Sequence, residues 1–220
     1  MNNQNTFILD AIDSDLGEVI NAGRRSMFTR YAAPAIALSS APLLLAAAST
    51  EAFAAGGLPQ QVIDVLNFAL TLEYLEAAFY KTGNGTKGLI PKQYQAMFKT
   101  IGAHETAHVK LLKGALGKAA VKAPAVDFTA GGKYADVFSN FDTFATLSAT
   151  FEDLGVAAYK GQAGNLAGTP VLTTALQIHS VEARHASAVR PLIGKAGFDG
   201  AFDKPKTKAE VLAAATPFLA

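Results

Sequence analysis

A glutamate and a histidine three residues apart lie on the apolar side of one predicted helix. In residues 98–115, apolar side chains recur at steps of three and four, which is the inward stripe of an amphipathic helix. Glu105 and His108 occupy two positions of that stripe, so both side chains are expected to enter the core. Burying an ionisable group without a partner is strongly unfavourable. A metal ion is the natural partner, and the pair is therefore a candidate metal site.

The same arrangement occurs a second time, 77 residues further along the chain. Glu182 and His185 lie on a stripe with Ile178 and Val189, as Glu105 and His108 lie on a stripe with Ile101 and Leu112. Two further segments also match each other at an offset of 79, LEYLEAAFY at 72–80 and FEDLGVAAY at 151–159. Each of these contributes one inward glutamate, Glu73 or Glu152, followed seven residues later by Tyr80 or Tyr159. The two halves are copies, and together they bring four carboxylates and two imidazoles to one core.

The charge of this set indicates what it holds. Four carboxylates carry a charge of about −4, which two divalent cations neutralise, whereas the empty set repels itself. Carboxylate together with imidazole suits iron or manganese better than magnesium, and zinc usually binds fewer oxygens. The sequence therefore predicts two metal ions, iron or manganese.

The elements that must position these residues are almost all helical. Periodicity and the positions of glycine and proline predict four long helices at about 60–80, 91–116, 138–161 and 170–190, and a short one starting at Thr207 with a capping box to Glu210. The connections are short, long and short, at about 10, 20 and 8 residues. That connectivity predicts an all-α four-helix bundle with one long crossover between the second and third helices, plus a short C-terminal helix.

The order Glu, Glu-x-x-His, Glu, Glu-x-x-His on four helices resembles the ferritin-like di-iron or di-manganese carboxylate proteins. The resemblance covers 60–192, and the run NFALTLEYLEAAFY at 67–80 is similar to a secreted branch that includes desiccation-related proteins. It implies six metal ligands: Glu73, Glu105, His108, Glu152, Glu182 and His185. It also implies that Tyr80 and Tyr159 lie near the metals, each above the glutamate two turns earlier on its own helix. Both tyrosines are equally compatible with simple core packing.

Three other polar residues lie close to these positions. Glu76 is one turn after Glu73, but its counterpart in the repeat is Gly155, so it is predicted to lie outside the ligand set or on the surface. His104 and His179 are not equivalent in the repeat. Each is predicted to be a flanking or hydrogen-bonded histidine.

The N-terminal 54 residues are predicted to be an export signal. Arg24 and Arg25 precede an apolar run at 31–49 and a small-residue site at Ala52-Phe53-Ala54, which resembles the twin-arginine type. Cleavage near Ala54–Ala55 would leave a ferritin-like domain at 55–220 in the periplasm or outside the cell, with the twin-arginine export machinery as a partner. The alternative is an uncleaved membrane anchor, because an apolar run of about 20 residues can span a bilayer.

Composition excludes several classes of site. The chain of 220 residues has no cysteine, which excludes disulfides, thiolate metal sites and a cysteine nucleophile. The predicted mature part has 16 basic and 13 acidic residues, and this mild charge does not suggest nucleic-acid binding. The composition is compatible with a homo-oligomer.

The predicted function is redox chemistry on a small inorganic substrate, namely peroxide, dioxygen or ferrous iron, in stress protection. No catalytic residue is assigned, because the same ligand set also serves a metal-binding or desiccation-protective protein without turnover. A third interpretation starts from His104-Glu105-Thr106-Ala107-His108, which fits the H-E-x-x-H motif of zinc proteases. It leaves Glu182 and His185 unexplained, since Val181 stands where the corresponding first histidine would be.

Overall fold

The computed structural model describes residues 57–198 and 200–220, and this part of the chain is helical. Its five α-helices are α1 (Gln60–Gly85), α2 (Gln95–Leu116), α3 (Phe141–Gln162), α4 (Val171–Val189) and α5 (Lys208–Ala215). Short 3₁₀ turns lie at Lys92–Tyr94, Gly117–Ala119, Ala163–Leu166, Arg190–Ile193 and Thr216–Phe218. Extended pairing among the described residues is limited to one antiparallel bridge, between Val126 and Leu219. The predicted all-α fold is confirmed.

Four helices form the bundle in two hairpins. α1 packs chiefly against α2, and α3 packs chiefly against α4. The long connection at 117–140 joins the two hairpins, as the spacing predicts for a bundle with one crossover. α5 lies against α3 and begins with the predicted capping box between Thr207 and Glu210. This is the predicted four-helix bundle with a short C-terminal helix.

Two apolar clusters fill the core of the bundle. One is rich in aromatic rings and includes Phe79, Phe98, Phe144 and Phe151. The other is mainly aliphatic and includes Leu66, Leu70, Leu112 and Ile178. Each bundle helix contributes residues to both clusters. The buried ionisable residues are therefore surrounded by apolar packing.

The first helix is longer than the sequence predicts. Residues 81–85 continue α1 instead of ending it, although they include Gly83 and Gly85. A side chain at Gly83 would come within 2.3 Å of the Phe144 ring, so this glycine permits close packing of α1 against α3. Asn84 adds a hydrogen bond to the Phe98 carbonyl on α2. Tertiary packing here outweighs the low helix propensity of glycine.

Three predicted helix starts are also shifted. α2 begins at Gln95 instead of Pro91, because a 3₁₀ turn at Lys92–Tyr94 follows the proline. α3 begins at Phe141, three residues late, because the side chain of Asn140 caps it by accepting from the Asp142 amide. Pro170 precedes α4 instead of being its first residue.

The predicted signal at 1–54 lies outside the described residues. In the part of the chain that the structure describes, no helix is both long and apolar enough to cross a bilayer.

Candidate metal centre

The structure brings the six predicted ligands together in the middle of the bundle. Each helix contributes from its inward face, and all six side chains are buried: Glu73 from α1, Glu105 and His108 from α2, Glu152 from α3, and Glu182 and His185 from α4. The most exposed of the six, His108, keeps only 8% of its surface accessible. Charged side chains are almost never buried to this degree unless they are paired or bind a metal.

The six residues form two overlapping groups. Subsite A contains Glu73, Glu105, His108 and Glu182, and subsite B contains Glu105, Glu152, Glu182 and His185. Within each group, one ligand atom from every residue lies within 4.8 Å of the others. Glu105 and Glu182 belong to both groups. Two carboxylates shared between two sets of donors are compatible with a site for two metal ions.

The ring of His108 shows that these atoms converge on one point. Its Nδ1 lies 3.2 Å from Glu73 Oε2, 3.2 Å from Glu105 Oε2 and 3.1 Å from Glu182 Oε1. A ring nitrogen carries at most one proton, which cannot serve three carboxylates at once. A cation among these four atoms would satisfy all of them.

His185 has the equivalent place in subsite B. Its Nδ1 lies 2.9 Å from Glu105 Oε1 and 3.1 Å from Glu152 Oε2. Its other ring nitrogen, Nε2, lies 2.9 Å from Nδ1 of His104. Metal-binding histidines commonly fix their ring by hydrogen bonding through the second nitrogen. His104 can therefore orient the ring of His185 toward the carboxylates.

Three carboxylate oxygens at the centre have no hydrogen-bond partner among the described residues. They are Oε1 of Glu105 and both oxygens of Glu182. Oε1 of Glu105 is near His185 and Oε1 of Glu182 is near His108, but these contacts lack hydrogen-bond geometry. Unpaired buried oxygens are costly, whereas oxygen and imidazole donors are what iron and manganese bind. The residues present fit a pair of such ions.

Burial dominates the acid–base behaviour of the metal-free centre. It raises the pKa of Glu73 to about 7, and it also raises the pKa values of Glu152 and Glu182. Burial alone would lower the pKa of His185, but the adjacent carboxylates of Glu105 and Glu152 outweigh this and raise it to about 10. Carboxylates therefore resist ionisation here, and the histidine resists losing its proton. Burial is the main cause of the first effect, and the neighbouring carboxylates cause the second.

The two tyrosines cross between the repeats. The hydroxyl of Tyr159 on α3 donates to Glu73 Oε1 at 2.5 Å, and the hydroxyl of Tyr80 on α1 donates to Glu152 Oε1. Each hydroxyl thus bonds the glutamate of the opposite helix and not the one two turns earlier on its own helix. Burial and the neighbouring carboxylates raise the pKa of both hydroxyls well above the usual value. Both tyrosines thus stay protonated and act as donors.

Glu76 lies beside the centre but belongs to neither subsite. Its side chain is 3% exposed, so of the two predicted positions the one outside the ligand set agrees with the structure and the surface position is wrong. A side chain at Gly155 would come within 3.3 Å of Glu76 Oε1 and 3.0 Å of Glu182 Oε2. The missing side chain at Gly155 therefore makes room for a carboxylate. The Glu-x-x-Glu spacing of Glu73 and Glu76 on one helical face was the available signal.

The two remaining histidines lie outside both subsites. His104 is exposed at its position on α2 and bonds to His185, and His179 is half-buried on α4 with its Nε2 unpartnered among the described residues. The hydrogen-bonded role predicted for His104 agrees with this geometry. The zinc-protease interpretation requires His104 and His108 as joint ligands, and the structure does not group them.

The sequence of this chain matches a known protein family. A family model described as a ferritin-like domain matches residues 61–195, a range that contains all six predicted ligands and both tyrosines. A search of curated proteins found no match for this chain.

Proposed function

Because this chain belongs to the ferritin-like domain family, we propose that its buried centre binds two metal ions, iron or manganese, and supports redox chemistry on peroxide, dioxygen or ferrous iron. The observation that carries this proposal is the pair of overlapping subsites that share Glu105 and Glu182. A dinuclear site needs bridging ligands, and these two carboxylates are the only members common to both groups.

The roles of the residues follow from their contacts. Glu105 and Glu182 would bridge, while Glu73 with His108 and Glu152 with His185 would each complete one side. Tyr159 and Tyr80 hold the single glutamates through one oxygen, which leaves the other oxygen directed at the histidines. Bound iron or manganese would supply electron exchange with a small oxygen species.

Burial limits the substrate to a small molecule. Glu105, Glu152 and Glu182 have no exposed surface, and two apolar clusters pack around them in the bundle core. Such an enclosed centre suits peroxide, dioxygen or ferrous iron better than an organic substrate.

The same burial favours a second candidate function. A site without exposed ligands also suits a protein that holds metal for stress or desiccation protection without turnover. The ligand set serves both functions. Turnover is the property that separates them.

Export is a separate part of the proposal. The paired Arg24 and Arg25, the apolar run at 31–49 and Ala52-Phe53-Ala54 support an exported protein of the secreted branch, with a mature start near Ala55. This would place the metal centre in the periplasm or outside the cell.

Turnover by reconstituted protein tests the redox function. Mature protein loaded anaerobically with Fe²⁺ or Mn²⁺ is expected to consume hydrogen peroxide or dioxygen, or to oxidise added ferrous iron. Glu182→Gln should lower the rate to that of metal-free protein, and Asp64→Asn, at an exposed position of α1, should not. Protein that binds two ions but turns over none of these substrates would support the protective function instead. Protein that binds neither metal would exclude both.

A further inference from the structure

Glu76 is a buried acid that the six-ligand centre does not use. It lies one turn after Glu73 on α1, and only 3% of its surface is accessible. Its side chain makes no hydrogen bond or ion pair with another described residue, and the strongest charge effects on it come from carboxylates of the centre. A buried carboxyl group without a partner of its own is unfavourable.

Glu76 is at a position where the two halves of the internal repeat carry different residues. The equivalent residue on α3 is Gly155, so the two halves of the bundle differ here. Glu76 Oε1 and Glu182 Oε2 lie 3.3 Å and 3.0 Å from the point where a Cβ at residue 155 would stand. The carboxyl group of Glu76 therefore lies beside that of Glu182, in space that any larger residue at 155 would take. Both oxygens of Glu182 are without a hydrogen-bond partner among the described residues.

The neighbours of Glu76 indicate which side of the centre it faces. Gly155, whose missing side chain leaves room for Glu76 Oε1, lies on α3 one turn after Glu152. Glu152 belongs to subsite B, whereas Glu73 belongs to subsite A. The carboxyl group of Glu76 therefore lies beside the helix that supplies the single glutamate of subsite B.

We propose that Glu76 is a fifth carboxylate ligand of the centre and binds the metal ion of subsite B together with Glu105, Glu152, Glu182 and His185. This proposal rests on the proposed dinuclear site. It makes the two ions unequal, with four side-chain ligands in subsite A and five in subsite B. Five carboxylates carry one more negative charge than two divalent ions neutralise. The centre therefore favours metals that also become trivalent, as iron and manganese do and zinc and magnesium do not.

Metal titration of an isosteric variant tests this assignment. Glu76→Gln keeps the size of the side chain and removes the anionic ligand. Calorimetric titration of the metal-free protein with Mn²⁺ is expected to show two ions in the wild type. In Glu76→Gln one of them should bind at least about tenfold more weakly, and the other should be unchanged, as for a lost ligand. Asp64→Asn, which removes an exposed carboxylate from the same helix, is the matched control and should equal the wild type.

Cobalt substitution gives a second readout that does not depend on affinity. The visible absorption of Co²⁺ intensifies as its coordination number falls, so Glu76→Gln should intensify the spectrum of one ion only. Metal-free Glu76→Gln should unfold at the same temperature as the wild type or higher, because it loses a repelled buried acid. A variant that fails to fold would instead show a purely structural role and overturn the assignment.

The outcomes separate this inference from the proposed function. Two ions with unchanged affinity and spectrum in Glu76→Gln would overturn the role of Glu76 and leave the dinuclear site intact. A wild-type protein that binds no metal would overturn the dinuclear site itself.

Discussion

Tyr159 on α3 and Glu73 on α1 are joined by a 2.5 Å hydrogen bond, although they belong to different halves of the internal repeat. Tyr80 and Glu152 form the same bond in the opposite direction. Each half therefore holds the single glutamate of the other half in place. These two contacts position the single glutamates of the centre and also link the two hairpins.

Removing one of these hydroxyls should weaken both the fold and the centre. Tyr159→Phe leaves Glu73 Oε1 without its donor in a buried position. We expect the free energy of unfolding to fall by about 1–3 kcal/mol, the usual cost of an unsatisfied buried acceptor. Urea unfolding measures this change, and metal titration should show weaker binding in subsite A.

Tyr74→Phe is the matched control, since the Tyr74 hydroxyl makes only an exposed 3.3 Å bond to the Val121 carbonyl. Equal stability of both variants would contradict the structural role of Tyr159.

The stability of the metal-free protein should fall as pH rises. The folded-state pKa of Glu73 is about 7 against an ordinary value of 4.5, so its contribution is complete below about pH 4.5 and lost by about pH 7. For His185 the pKa rises from 6.5 to about 10, so its contribution is lost between those values. Both changes have the same sign. For Glu73 alone the shift corresponds to on the order of 3 kcal/mol.

Thermal unfolding at pH 5.5 and pH 8 with and without chelator measures this dependence. Metal-free protein should be less stable at pH 8, and added metal should stabilise it most there, because protons no longer compete for the ligands. Midpoints that are identical with and without chelator at neutral pH would mean that the carboxylates are not clustered.

His104 should affect subsite B alone. His104→Ala removes the 2.9 Å partner of His185 Nε2, so the ring loses its fixed orientation. We expect roughly 10- to 100-fold weaker binding of one ion, as for other hydrogen-bond partners of metal-binding histidines. His179→Ala is the control, because His179 belongs to neither subsite. The zinc-protease interpretation predicts instead that His104→Ala removes a single bound zinc.

Export should depend on the paired arginines. Replacing Arg24 and Arg25 by lysine keeps the charge but removes the twin-arginine pattern, so export should stop. Fractionation followed by mass spectrometry of the exported protein tests this and is expected to find a start near Ala55. Unchanged export of the double variant would indicate the general secretory route, and an intact N-terminus in membranes would indicate an anchor.

The sequence predicts most of the centre because its chemistry is repeated. Glu105 with His108 and Glu182 with His185 have the same apolar neighbours at the same spacing, which a solvated face would not produce. Residues 60–80 also show a clear helical period. Such features depend only on positions within one helix, so they can be read without knowledge of the packing.

What the sequence does not predict depends on contacts between helices. Glu76 lacks a repeat partner, and its burial follows from the small residue at Gly155 on another helix. Tyr80 reaches Glu152 because of the direction in which α1 faces α3. The helix continues through Gly83 because the Phe144 ring packs against it. None of these follows from the spacing along one segment.

The number of metal ions bound per chain tests the central claim most directly. Elemental analysis of purified mature protein, reconstituted with Fe²⁺ or Mn²⁺ and then freed of excess ions, should give two per chain. Glu182→Gln should give fewer than two, because Glu182 belongs to both subsites, and Asp64→Asn should still give two. A wild-type protein that retains no iron or manganese, or one that holds a single zinc ion, would contradict the account.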